Sequence, residues 1–125
     1  MDVTPLIPQG RQIIESYGGG GFKVSGAAYS GSILVLPDWT GAWSAAVIGE
    51  LDIASLEPVL AADPPVEVLL IGCGAAMAFI EPELRAAAKA RGVALEPMDT
   101  GAACRTYNVL MAEDRRVAAA LIAVE

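Results

Sequence analysis

The chain has 125 residues, a formal net charge of −7 and 54% hydrophobic residues, which suits one domain with a proper core, since chains divide only well above this size. It contains no histidine, and its two cysteines, Cys73 and Cys104, lack C-x-x-C spacing, so Ser-His, Cys-His and His-metal chemistry and a structural zinc site are excluded. The acidic balance also opposes nucleic acid and anionic lipid, both of which repel such a surface.

Residues 1 to 10, with Pro5, Pro8 and Gly10, read as a lead-in segment before a single α/β domain over residues 11 to 125. This start has neither the basic-then-apolar pattern of a secretory signal nor the Arg-rich, acid-poor pattern of a mitochondrial import signal. The longest nearly unbroken apolar run, Val68 to Ile80, is shorter than the ~20 residues of a spanning helix. No membrane span is expected, and a cytoplasmic location is.

Arg11 to Tyr17 suits a short strand, Gly18 to Gly21 a loop, and FKVSG a second strand, together a hairpin. Because a phosphate-cradling loop normally leads into a helix, and Phe22-Lys23-Val24-Ser25 is strand-like, the glycines read as a turn. Gly31 to Pro37 is an apolar strand, and Thr40 to Ile48 is compatible with another. Trp39 and Trp43 read as core or edge packing, since burying an indole removes a large apolar area from water. Asp52 or Ser55 can cap a short helix over Leu56 to Ala61, with Pro58 tolerated in its first turn and Pro64-Pro65 ending it.

Beyond this point strands and helices alternate. Val66 to Ile71 reads as a buried strand, Pro82 to Arg91 as a helix closed by Gly92, and Val93 to Met98 as a strand. Residues 100 to 114 carry a helical apolar stripe of Ala103, Tyr107, Leu110 and Met111, and residues 117 to 124 are a continuous apolar run of strand length. A β-α-β-α-β order implies parallel strands. The expected fold is therefore α/β: N-terminal antiparallel strands that continue into, or pack beside, a parallel sheet covered by helices. Arg85, Lys89 and Arg91 on one helix, and Arg115 with Arg116 beyond the next, read as solvated helix ends that complement the dipole.

In an open parallel sheet, ligands sit off the carboxyl ends of the strands, here Ile71 and Met98. This puts the loop Gly72-Cys73-Gly74 beside the helix start Asp99-Thr100, with Cys104, Arg105 and Asn108 further along that helix. Those eight residues form a candidate crevice for a ligand or partner, in which Cys73 and Cys104 share one edge of the sheet and free N–H groups favour an anion. GCGAAM is a poor dinucleotide fingerprint, because Met77 stands where the third glycine belongs and Pro82 starts the helix several residues late. Cys104, in a first helical turn with Arg105 beside it, has two features that lower a thiol pKa, against the common burial of free cysteines. Asp99 or Thr100 is expected to cap the helix, while the mid-helix amide of Asn108 must find water or a partner.

Taken together, LLIGCG, PELRAAAKARGV and MDTGAACRTYNVLMAEDRRVAAALI resemble the Mth-type domain of unknown function found in mitochondrial complex I assembly factor 3 and in many uncharacterised bacterial and archaeal proteins. FKVSG, YSGSILVLP and Trp43 fall where the N-terminal strands of that family are expected, so the likeness runs from about Arg11 to Val124. Cys73 stands where Thr is more usual, and Asp114 where Gly or Asn is common. The resemblance implies a three-layer α/β domain, no catalytic residues to transfer and no cofactor or metal. Because the eukaryotic member is a non-catalytic helper in building the quinone-reducing arm of complex I, it also implies protein partners among respiratory-chain subunits or assembly factors. The expected function is thus a protein-interaction domain. The alternative is an enzyme or small-ligand or anion-binding protein using the crevice at 72–77 and 99–108.

Overall fold

A computed structural model describes residues 10–125. The expected lead-in segment, apart from Gly10, lies outside the described residues.

Three short antiparallel strands come first: β1 (Ile14–Gly18), β2 (Gly21–Val24) and β3 (Ala27–Ser30), in that order in their own sheet. The β1–β2 turn uses Gly19 and Gly20 at φ 61° and 81°, and the β2–β3 turn uses Ser25 and Gly26 at φ 45° and 86°. Two consecutive left-handed residues match the twist of flanking strands, which is why such pairs make tight hairpins. The second hairpin differs from the sequence expectation, because AAYS is largely exposed and carries no apolar alternation.

The second sheet has five strands in the order β5-β4-β8-β6-β7. β4 (Ile33–Leu36) pairs antiparallel with both β5 (Trp39–Ala42) and β8 (Val117–Leu121). β6 (Val68–Gly72) runs parallel to β7 (Ala94–Met98) on one side and to β8 on the other. The helices are a one-turn α1 (Glu57–Leu60), α2 (Pro82–Ala90) and α3 (Thr100–Ala112). The fold is mixed α/β, and both anticipated arrangements of the N-terminal strands occur. β4 and β5 extend the parallel sheet, whereas β1 to β3 pack beside it.

Alternation along the central strands divides the core in two. Leu34, Leu36, Leu69, Ile71, Ala118 and Ala120 face α1 and α2, while Ile33, Val35, Leu70, Val117, Ala119 and Leu121 face α3 and the three-stranded sheet. Each fully buried Leu, Ile or Val contributes about 1.5–3 kcal/mol relative to exposure. The three central alanines of β8, wholly buried, let both layers close on the middle of the sheet.

Several boundaries differ from the sequence reading for local reasons. The strand expected over 40–48 runs from Trp39 to Ala42; the chain then leaves the sheet, burying Trp43 so that its indole N–H donates to Ser55 Oγ at 3.0 Å. Trp39 stays 44% exposed on the edge strand, its ring lying over Gly41. The strand expected at 66–71 is shifted to Val68–Gly72, and the one expected to reach 124 stops at Leu121. The helix expected to reach 114 ends at Ala112, and Asp114 follows at φ 60°. A left-handed backbone there is one that Gly, Asn and Asp adopt more readily than other residues.

Candidate functional site

The carboxyl ends of β6 and β7 do bring Gly72, Cys73 and Gly74 against the start of α3, and the join is closed by hydrogen bonds. Thr100 N–H donates to Gly74 O at 2.9 Å, Gly74 N–H donates back to Thr100 Oγ1 at 3.0 Å, and that hydroxyl donates to Ile122 O at 2.7 Å. Cys73 N–H donates to Met98 O at 2.8 Å and Ile122 N–H to Gly72 O at 2.9 Å. A Cβ on Gly72 would come within 2.9 Å of Leu121 Cδ2 and 3.1 Å of Thr100 Cα, so glycine is required by the closeness of β8 and α3.

At the start of α3, Asp99 caps the helix, its carboxylate accepting from Ala102 N–H at 2.9 Å. The Tyr17 ring covers Gly101, where a Cβ would run into it. A carboxylate therefore already faces the N–H groups expected to hold an anion. The two cysteines, both near the carboxyl ends of β6 and β7, lie on opposite faces of the sheet. Cys73 continues the Leu69–Ile71 face into the α2 core, whereas Cys104 lies in the α3 core across the sheet.

Both thiols are free and buried. Burial pushes the Cys104 thiol from 9.0 up to about 12; Arg105 pulls the other way and Asp99 adds to the rise. Desolvation thus overrides the helix start and the neighbouring cation, because a thiolate there would lose water without gaining a buried partner. Alkylation of the native protein at neutral pH is expected to run slower at Cys104 than for a model thiol, and rates matching that thiol would contradict the burial. The linked stability follows from the sign of the shift: the folded state holds the thiol proton more tightly. This contribution is intact below pH 9 and fades as pH rises towards 12. Burial raises the Tyr107 hydroxyl in the same sense. The unfolding midpoint is expected to fall across that alkaline range, and a flat profile would count against both burials.

The remaining expected residues, Cys104, Arg105 and Asn108, line a recess of about 370 Å³ between α3 and β1, together with Ile14, Glu15 and Tyr17. Asn108 does find a partner: its Oδ1 accepts from Ile14 N–H at 2.9 Å and its Nδ2 donates to Ile14 O at 2.8 Å. The amide behaves as an extra strand residue on the free edge of β1, fixing the small sheet to α3. Asn108→Ala leaves both Ile14 groups without these bonds and is expected to cost about 1–3 kcal/mol. Faster amide exchange at Ile14 than at Val24 would identify the lost contact, and unchanged exchange would contradict it.

Two other concavities each gather residues from distant parts of the chain. One, of about 260 Å³, lies at the amino ends of β6 and β8 and is lined by Arg11, Asp38, Asp63, Asp114, Arg115 and Arg116. Its Arg11–Asp114 ion pair, at 3.3 Å, joins residues 103 positions apart, a separation no local pattern reveals. The pair is exposed and contributes little. The other, about 450 Å³, runs between the Ile48–Glu50 turn and the start of α2, with Phe79 at its rim. Among the described residues, no group of three His, Cys, Asp or Glu is placed to share a metal ion, and no helix is long and apolar enough to cross a membrane.

Comparison with known proteins agrees with the resemblance read from the sequence. Residues 14–122 match the family described as "Protein of unknown function (DUF498/DUF598)". The chain belongs to the DUF498/DUF598 family. An uncharacterised protein of Rhodobacter capsulatus is 38% identical over 109 residues, covering 87% of this chain and 82% of that protein. NADH dehydrogenase (ubiquinone) 1 alpha subcomplex assembly factor 3 of Danio rerio is 36% identical over 110 residues, covering 88% of this chain and 63% of that protein. The chain spans about three fifths of the length of the vertebrate assembly factors it matches. The solution structure of a Mth938-like domain from Bordetella pertussis superposes with a TM-score of 0.82 at 28% identity, covering 98% of this chain and 92% of that one. The DUF498/DUF598 fold is thus the mixed α/β arrangement described above.

Proposed function

We propose that this chain is a non-catalytic protein-interaction domain that assists the assembly of respiratory complex I from the cytoplasm. The observation that carries this reading is the match, over 110 residues, to a relative named as a complex I assembly factor. The shared stretch is the folded domain itself, so whatever the two have in common resides in these layers rather than in the additional length of the vertebrate proteins.

The chemistry of the expected crevice supports the same reading. Thr100, Gly74 and Asp99 are bonded to the fold, the Cys104 thiol holds its proton at neutral pH, and both hydrogen-bonding groups of the Asn108 amide are committed to Ile14. Exposed Arg105 is left as a group for contacting a partner, not for turning over a substrate. Mild affinity purification of the full chain from its native organism is expected to recover complex I subunits or a further assembly factor. Recovery of no respiratory-chain protein would overturn the reading.

A further inference from the structure

Phe79 is 80% exposed, the highest value among the exposed large apolar side chains of the described residues, and Met77 in the same segment is 67% exposed. Ordinary surface chance accounts for single exposed apolar residues, but Phe79 lines a groove of about 450 Å³ beside α2. Half-buried Ile48, Leu51, Ile53 and Leu84, all packed against the α1/α2 core, give the groove an apolar character. Its charged lining is wholly acidic: Asp52, Glu81 and Glu83, with no Lys or Arg. The nearby Arg85 donates its guanidinium to Leu95 O at 3.1 Å, turned towards β7.

From this arrangement we infer that the groove is a docking site for a basic amphipathic segment of a partner protein, with Phe79 as its apolar anchor. Apolar side chains of the segment fill the groove against Phe79 and Leu84, and its Lys or Arg residues face Asp52, Glu81 and Glu83. A buried aromatic anchor ringed by complementary charge is the pattern in which few residues dominate affinity and charge sets orientation. A second copy of this chain is the poorer occupant. A two-fold contact through the groove would set the three carboxylates against their own duplicates, in a chain of net charge −7. This inference rests on the interaction reading above and names the surface that carries it.

The test uses the full chain, a short amphipathic Leu/Lys helical peptide as probe, and its Leu/Glu counterpart as control. Phe79→Ser removes an exposed ring and leaves the core intact; Val109→Ser, on α3 and 58% exposed, is the matched control on another surface. The Leu/Lys peptide is expected to bind the parent chain and the Val109→Ser variant equally. Binding should weaken about tenfold or more for Phe79→Ser and for the Glu81→Lys, Glu83→Lys double variant. The Leu/Glu peptide should not bind. Equal affinity for the parent chain and Phe79→Ser, or no binding of the Leu/Lys peptide, overturns the inference. So does a dimer in sedimentation that Phe79→Ser abolishes, which would make the occupant a second copy. Purification with the Phe79→Ser chain separates this claim from the functional one. Partners recovered equally by parent and variant overturn the groove alone, whereas partners absent from both overturn the functional reading and leave the peptide titration to decide the groove.

Discussion

Tyr107→Ala is expected to lower the unfolding free energy by about 3–5 kcal/mol, the range for deleting a fully buried aromatic side chain. Tyr107 is wholly buried in the core beneath α3, among Ile14, Phe22, Val35 and Met111. Its hydroxyl donates to Gln12 O at 3.0 Å, so the ring both fills the space between the sheets and ties the chain entering β1 to α3. Tyr107→Phe keeps the ring and loses only that bond, at about 1 kcal/mol. Urea unfolding checks both: the midpoint should fall several times further for Ala than for Phe at similar slope. Equal losses would mean that the hydroxyl, not the packing, holds the layers together.

Thr100→Val is expected to cost about 2–4 kcal/mol, because the replacement has nearly the same shape but leaves two inward-facing backbone groups without their partner. The buried Thr100 hydroxyl accepts from Gly74 N–H and donates to Ile122 O, joining the exit of β6, the start of α3 and the end of β8. Thr100→Ser keeps the hydroxyl and should cost only about 0.8 kcal/mol for the lost methyl. A valine variant as stable as the serine variant would show the junction to be held by packing alone. Together the two substitutions test the closure of the rim where the sequence suggested a ligand crevice.

How much of this was legible follows from the period of the signals. From Val68 onward, apolar strands of about five residues alternate with helices bounded by Pro82, Gly92 and Asp99, and all three strands and both helices lie within a few residues of their expected places. The N-terminal part was harder. β3 buries almost nothing, so only the Ser25-Gly26 pair between FKV and AAYS marked its hairpin. The separation of the cysteines was in fact readable: Leu69, Ile71 and Cys73 are two apart and share a face, and α3 returns across the other one. What could not be read was which polar groups the fold would use for itself. The same Gly74 and Thr100 that suggest an anion site from spacing are the groups that close it. Nor does the segment from Ala75 to Ile80 announce a groove, since the wall opposite Phe79 comes from residues near Leu51.

We propose that this domain acts on other proteins during the building of complex I, and deletion of its gene in the native organism, followed by restoration of the full chain, checks that role. NADH:quinone oxidoreductase activity and fully assembled complex I, followed on native gels, are expected to fall together while partly built subcomplexes accumulate, with recovery when the chain is returned. Assembled complex I at parental levels in the deletion strain would contradict the account.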